Sequence, residues 1–251
     1  MVTSAIKAGR TTSALLWATI LFAGGTVAAA AQQPCRLALI LGMDISSSVD
    51  PGEDALQRNG LAAALRAPEV VDAILSQPDR PVALAMFEWS GRIQQDMVLD
   101  WVMLTDVNTL AAATDQIAQS IRSYADFATA IGNALEYAHD LFAFGPSCDA
   151  RTLDLSGDGV NNDGFGPAVA YAALDFSQIT VNALAIEVTE EGTDHGLAEG
   201  AETGLADYFR QQVVNGPGAF VEIARGFEDF EKAMTRKLLR ELQIEVGQSL
   251  Q

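Results

Sequence analysis

One stretch near the start of the chain constrains the fold more than any other. Residues 37 to 43, LALILGM, are apolar or glycine and show no alternation with polar residues. This pattern is typical of a strand buried on both faces of a parallel sheet. Asp44, Ser46 and Ser48 follow at every second position, so they lie on one side of an extended segment. The sequence therefore predicts a central strand that ends in a loop rich in side-chain oxygens.

A helix start comes directly after this loop. Asp50 is a favourable N-cap, Pro51 suits the first helical position, and Glu53 can reach back to the cap. In open α/β sheets, ligands bind in loops at the carboxyl ends of strands. Hard oxygens without His or Cys favour Mg²⁺ or Mn²⁺ over zinc. The alternative is that the serines only turn the chain.

The rest of the chain alternates between strand and helix patterns. Further strands are predicted over 82–89, 93–103 (a sheet edge), 151–156, 180–186 and 219–224. Helices are predicted over 51–75 with a break near Pro68, and over 106–121, 129–142, 167–176, 203–214 and from 227 onward. This succession of strands and helices predicts one doubly wound α/β domain.

The polar loop resembles a known site. The residues Asp44-Ile45-Ser46-Ser47-Ser48 resemble the D-x-S-x-S element of the metal-ion-dependent adhesion site in von Willebrand factor A (VWA)-type domains. That family has a Thr on its second loop with Ala-Leu five residues on, as Thr129 has here, and an Asp-Gly on its third loop, as Asp158 has here. The resemblance implies a metal site made by Asp44, Ser46, Ser48, Thr129 and Asp158, with the two aspartates bound directly or through water.

The resemblance also implies the architecture and a type of partner. It covers residues 35–246 and looks most like a family of secreted bacterial VWA-like proteins catalogued as a domain of unknown function. It implies a three-layer, mostly parallel six-stranded sheet of order 3-2-1-4-5-6. The implied function is binding of a protein that offers an Asp or Glu to the metal. The sequence departs from the family's pattern at two positions: Phe127 stands where the family usually has Gly, and Gly157 is an additional glycine in the third loop.

The first 31 residues have the features of an export signal. They contain no acidic residue, two bases (Lys7 and Arg10) and an apolar run followed by an alanine-rich tract. A signal peptide over 1–31 predicts a periplasmic or secreted bacterial protein, whereas a retained membrane anchor is the alternative. Without Lys7 and Arg10, 13 basic residues face 33 acidic ones, a net charge of −20. Such a charge disfavours nucleic acid and anionic membrane surfaces as partners.

Cys35 and Cys148 are the two cysteines of the chain, and both lie just before predicted strands. In an exported protein, this favours one disulfide. The implied strand order makes strands one and four parallel neighbours, which brings the two cysteines to the same edge at a separation that a disulfide tolerates.

Several other residues have more than one interpretation. Glu88 lies near the end of an apolar strand. It therefore either positions a metal ligand without touching the metal itself, or emerges into solvent. The acidic run 187–202 with His195 fits a solvated loop better than a second cation site. Asn215-Gly216-Pro217-Gly218 precedes a strand and is predicted to be a turn at the opposite edge from the metal site.

The bases from Arg236 to Arg240 are predicted to finish a helix that starts with acids, matching its dipole. No catalytic motif such as G-x-S-x-G or H-E-x-x-H is present. A metal-dependent hydrolase and a domain with an empty site remain alternatives to a binding module.

Overall fold

A computed structural model of the protein describes residues 1–2, 34–188 and 204–248. The predicted signal peptide, apart from its first two residues, and the part of the acidic run that contains His195 lie outside these residues. Within the described residues, no helix combines the length and the apolar character needed to cross a membrane.

The described strands and helices follow one another in the order that the sequence predicts. The strands are β1 (Cys35–Asp44), β2 (Val82–Trp89), β3 (Gln95–Leu104), β4 (Cys148–Gly157), β5 (Thr180–Glu187) and β6 (Val221–Arg225). The helices are α1 (Pro51–Arg66), α2 (Pro68–Leu75), α3 (Val107–Gln119), α4 (Ile131–Phe144), α5 (Pro167–Ala173), α6 (Leu205–Tyr208) and α7 (Phe230–Gln248). A π-helical turn, Phe209–Val213, extends α6, and a 3₁₀ turn, Phe227–Asp229, precedes α7.

All six strands form one sheet with the order β3-β2-β1-β4-β5-β6. Every neighbouring pair is parallel except β2 with the edge strand β3. The fold is therefore the three-layer, mostly parallel α/β sheet that the resemblance implies. One sheet face packs against α1, α2, α3 and α7, and the other against α4, α5 and α6. β1 is buried along its whole length because it lies between β2 and β4 with helices on both faces.

The start of α1 follows its sequence signature. The Asp50 carboxylate accepts hydrogen bonds from the backbone N–H groups of Gly52 and Glu53, and the Glu53 side chain accepts from the Asp50 backbone N–H. This reciprocal capping satisfies backbone donors that would otherwise lack partners. It fixes the chain direction immediately after the oxygen-rich loop.

The disulfide expected between Cys35 and Cys148 is present. The two residues begin β1 and β4 and are directly paired in the sheet, with Cα atoms 4.6 Å apart. It joins residues 113 positions apart in the chain. In chain-entropy terms, closing a loop of this length stabilises the fold by about 3 to 5 kcal/mol.

Some predicted boundaries were wrong. β3 begins at Gln95 rather than at 93, because Ser90 N–H donates to the Gln94 carbonyl and closes a turn there. β6 begins at Val221 rather than at 219, since the N–H of Phe220 donates to the Asn182 side chain. The helix predicted over 203–214 is described from Leu205 and consists of one α turn and one π turn.

Candidate metal centre

The sheet register brings the first and third loops together. Asp44, the last residue of β1, pairs with Trp89 on β2, while Met43 pairs with Ser156 on β4. The chain therefore leaves β1 and β4 side by side at the same edge. As a result, the loop after Asp44 lies against the loop that contains Asp158, although 114 residues separate the two aspartates in sequence.

A chain of hydrogen bonds joins four of the five predicted ligands. The backbone N–H of Ser46 donates to Asp44 Oδ1 at 2.8 Å, and Ser46 Oγ lies 3.2 Å from Ser48 Oγ. Ser48 Oγ in turn donates to Asp158 Oδ1 at 2.9 Å. Six oxygens at about 2.1 Å around Mg²⁺ have nearest neighbours about 3 Å apart, so the two oxygen–oxygen separations, from Ser46 to Ser48 and from Ser48 to Asp158, suit adjacent ligands of one ion.

The Asp44 carboxylate is buried, and only one of its two oxygens accepts a hydrogen bond from the described residues. Its side chain is 0 % exposed, and Oδ2 has no hydrogen-bond partner among the described residues. A Cβ atom at position 157 would approach Asp44 Oδ2 to 2.9 Å, so the additional glycine of the third loop makes room for this carboxylate. Burial, followed by the charge of Asp158, raises the pKa of Asp44 well above its usual value. An unpartnered, buried carboxylate oxygen is costly unless a proton or a cation meets it.

Thr129 reaches the same edge from the start of α4. It is 3 % exposed, and its Oγ1 is 3.5 Å from the Cβ that a side chain at Gly159 would carry. Asn162 holds the Thr129 backbone from both sides: its Oδ1 accepts from the Thr129 N–H at 2.8 Å, and its own N–H donates to the Thr129 carbonyl at 2.9 Å. The third loop therefore positions the second loop as well as supplying Asp158.

Phe127 does not prevent the second loop from reaching the site. Its carbonyl accepts a hydrogen bond of 2.8 Å from the Ser47 N–H, which ties the second loop to the first. Its ring packs edge-on against Tyr124 with centroids 5.6 Å apart. Among the described residues, no residue other than glycine has a positive φ, so Phe127 takes this path without a left-handed conformation.

Arg122 was not predicted to belong to the site. Its guanidinium donates to the carbonyl oxygens of Ile45, Ser46 and Val49 at 2.7 to 2.8 Å. These three carbonyls bracket the serines of the first loop, so Arg122 fixes the backbone that presents them. A lone arginine in a polar loop gives no sequence signal for this contact, because its partners are backbone atoms more than 70 residues away.

Glu88 does not emerge into solvent, so the second of its two interpretations was wrong. It is 1 % exposed, and its carboxylate accepts from Arg58 at 2.5 Å and from the backbone and hydroxyl of Ser123 at 2.9 and 2.6 Å. Ser123 follows Arg122, so Glu88 anchors the segment that clamps the first loop. Arg58 also pairs with Asp54 on α1.

The five predicted ligands fit a hard divalent cation in their chemistry. They offer two carboxylates and three neutral hydroxyls, all oxygen donors. Burial raises the pKa of Asp158 too, although the hydrogen bond from Ser48 opposes this shift. The described residues include no group of three or more His, Cys, Asp or Glu that could hold a metal. A site built mainly from hydroxyls would not form such a group.

The sheet order, with helices on both faces, defines the class of fold as VWA-like. The chain belongs to the family described as "Protein of unknown function (DUF1194)", whose model matches residues 34–246. No curated protein is a significant match to this chain.

Solved structures share the fold at low sequence identity. Proximal thread matrix protein 1 from the mussel byssus is 14 % identical with a TM-score of 0.59, and the match covers 84 % of this chain and 49 % of that one. Another structure of the same protein, with a zinc-occupied adhesion-site motif, is 17 % identical with a TM-score of 0.56, covering 83 % and 46 %. This chain therefore spans about half the length of that protein.

Two bacterial structures are similar to the same extent. A von Willebrand factor type A protein from Catenulispora acidiphila is 16 % identical with a TM-score of 0.57, covering 85 % of this chain and 43 % of that one. The conserved hypothetical protein BatB from Bacteroides thetaiotaomicron is 18 % identical with a TM-score of 0.55, covering 82 % and 98 %. At these identities, the similarity establishes the fold alone.

Proposed function

We propose that this protein is an exported binding module that holds Mg²⁺ or Mn²⁺ and uses it to bind an acidic side chain of a protein partner. The ligands are Ser46, Ser48, Thr129, Asp44 and Asp158. The observation that carries the proposal is the buried Asp44 carboxylate, whose Oδ2 has no partner among the described residues and whose Oδ1 accepts from the backbone of Ser46, the first residue of a hydroxyl pair that is bonded to Asp158. The zinc-occupied motif in the mussel protein, which shares this fold, supports the proposal of a bound metal.

The charge balance favours an anionic ligand. Asp44 and Asp158 neutralise a divalent ion, and the remaining donors are neutral hydroxyls. Burial raises the pKa of both carboxyls, and the Arg122 guanidinium lies close enough to oppose that rise, so it adds positive charge near the site. Mg²⁺ prefers six oxygens and retains water, so a partner carboxylate replaces one water at an open position. The net charge of the chain is −18, so basic residues are expected around that carboxylate on the partner.

Metal binding is tested by calorimetry on protein stripped with EDTA. Mg²⁺ and Mn²⁺ should bind the native protein, and Asp158→Asn should weaken binding at least about 30-fold, the scale of one lost charged ligand. The matched control is Asp163→Asn in the same loop, which is not one of the five proposed ligands and whose carboxylate accepts from Arg92 at 2.7 Å. Equal metal affinity in both variants would overturn the assignment of Asp158.

Carboxylate binding is tested separately with Mn²⁺ as a relaxation probe. Water-proton relaxation by the bound Mn²⁺ should fall as acetate, or an Asp-containing peptide flanked by lysines, displaces a bound water. The peptide should compete more strongly than acetate, and its Asp→Asn version should have no effect. If neither acetate nor the peptide changes the relaxation of the metal-loaded protein, carboxylate recognition is contradicted. The proposal of metal binding would still stand. Cross-linking in the periplasm with and without Mg²⁺ then identifies the natural partner.

A further inference from the structure

The end of β2 lies directly beside the Asp44 carboxylate. Trp89, the last residue of β2, pairs in the sheet with Asp44, and its carbonyl accepts a hydrogen bond of 2.9 Å from the Ile45 N–H. The next carbonyl, that of Ser90, accepts at 2.8 Å from the N–H of Ala130, which precedes α4. The end of β2 therefore supports both the first and the second loop of the metal centre, although it supplies none of the five predicted ligands.

The indole of Trp89 extends across Asp44. Asp44 pairs with Trp89 on one side, and on the other side Gly157 follows Ser156, the partner of Met43. A Cβ atom on Gly157 would lie 2.9 Å from Asp44 Oδ2 and 3.5 Å from Trp89 Cζ2. Neighbouring strands are about 4.8 Å apart, so an indole that starts on β2 and reaches β4 has crossed the strand that ends in Asp44. The carboxylate and the edge of the indole thus meet at Gly157.

Packing alone does not account for a tryptophan at this position. Trp89 is 0 % exposed and belongs to the apolar core between the sheet and α4. Its Nε1 has no hydrogen-bond partner among the described residues, and an unpaired buried donor lowers stability. Phenylalanine or leucine would fill apolar space without this cost. The feature that the larger ring adds is its reach across the Asp44 carboxylate.

We propose that Trp89 is a positioning residue of the metal centre, whose indole covers the interior side of the Asp44 carboxylate and keeps water from it, so that Oδ2 is left for a cation. This inference rests on the function proposed above. Charges attract more strongly where water is excluded, and a buried carboxylate oxygen without a partner gains more from a cation than a hydrated one does. Trp89 therefore raises the affinity for the metal without being a ligand.

The first test is fluorine NMR of the native protein labelled with 5-fluorotryptophan. The chain has three tryptophans, Trp17, Trp89 and Trp101, and single Trp→Phe variants assign their resonances. Mg²⁺ added to the EDTA-stripped protein should shift the Trp89 resonance. The Trp101 resonance should stay in place, because that ring packs on Phe142 near the other end of α4. A Trp89 resonance that does not move when Mg²⁺ binds would overturn the inference.

The second test compares Mg²⁺ affinities by calorimetry, at a temperature where thermal unfolding shows each metal-free protein to be folded. Trp89→Phe should bind Mg²⁺ about tenfold more weakly or worse, the scale seen when a group that supports a metal ligand is changed. The physical reason is that the smaller ring lets water reach the Asp44 carboxylate. Trp101→Phe makes the same substitution away from the site and should bind as the native protein does.

A second variant keeps the inference falsifiable if Trp89→Phe does not fold. Gly157→Ala adds a methyl group at the point where the carboxylate and the indole meet, so it should displace Asp44 and weaken Mg²⁺ binding about tenfold. Gly166→Ala is its control, because a Cβ there meets no atom within 4 Å.

The outcomes separate this inference from the proposed function. A native protein that binds no Mg²⁺ overturns both. Mg²⁺ binding with the same affinity in the native protein, in Trp89→Phe and in Gly157→Ala overturns the role of Trp89 alone and leaves the metal centre standing.

Discussion

The two edges of the sheet each hold a pair of carboxylates, and the two pairs differ in whether a cation of the chain balances their charge. At the amino edge, Asp154 and Glu241 share the buried ammonium of Lys237. At the carboxyl edge, Asp44 and Asp158 have no such partner. The nearby cation Arg122 donates its hydrogen bonds to three backbone carbonyls instead. The first pair is neutralised largely from within the chain, whereas the second needs a proton or a cation from outside.

This difference separates a structural cluster from a binding site. Lys237 and Glu241 tie α7 to the centre of the sheet, and the nearby disulfide fixes the amino ends of β1 and β4. The carboxyl edge is built from three loops that are held by hydrogen bonds to one another. Removing the charge of Lys237 should therefore lower the stability of the protein, whereas removing the charge of Asp44 at the carboxyl edge should raise it.

The largest expected effect is at the amino edge. Lys237→Met keeps the volume of the side chain but leaves Asp154 and Glu241 buried without a cation, which should cost about 3 to 5 kcal/mol in the free energy of unfolding. Urea unfolding at neutral pH measures this loss. Lys232→Met, an exposed position on the same helix, is the control and should change stability by less than about 0.5 kcal/mol. A loss at Lys237 as small as that of the control would mean that both acids are already neutral.

The pH dependence of stability gives a smaller effect at the same edge. The pKa of Asp154 is about 7 in the fold against 3.8 as the ordinary value, so the folded state retains a proton that the unfolded state releases. The stabilisation from this group should therefore decline by up to about 1.4 kcal/mol per pH unit between about pH 4 and 7, and level off above. Comparing urea unfolding of the native protein and Asp154→Asn from pH 5 to 8 isolates this contribution. Parallel pH profiles for the two proteins would contradict the shift.

The fold was predictable from the sequence because its signals are local. The unbroken apolar run of β1, the cap at Asp50 and the apolar face of α7 each lie within a short segment. The order of the strands is not a local property, and it was available only because the loop at Asp44 resembles a known family. The disulfide followed from that order.

The supporting contacts were not predictable because their partners are distant in sequence. The bases around Lys237 read as the end of a helix, but α7 continues to Gln248 and Lys237 points into the interior, so that interpretation was wrong. Its partner Asp154 is 83 residues away and resembles any polar residue in a strand. Arg122 and Asn162 form hydrogen bonds with backbone atoms. Because a backbone partner can be any residue type, the sequence gives no signal for these contacts. Sequence patterns thus indicate which residues are candidates for binding the metal, but not which residues hold them in place.

The smallest expected effect is at the carboxyl edge and has the opposite sign. Asp44→Asn keeps the acceptor for the Ser46 N–H and removes a buried charge that faces Asp158. In EDTA, the variant should be more stable than the native protein by roughly 1 kcal/mol, the scale of one polar contact. With Mg²⁺ the order should reverse, because an ion at about 100 times its dissociation constant stabilises only the protein that binds it, by about 2.7 kcal/mol. Thermal unfolding with and without Mg²⁺ measures both signs, and Asp163→Asn should follow the native protein in each. If Asp44→Asn is instead destabilised in EDTA and Mg²⁺ leaves both proteins unchanged, Asp44 is a structural residue and the contrast between the two edges fails.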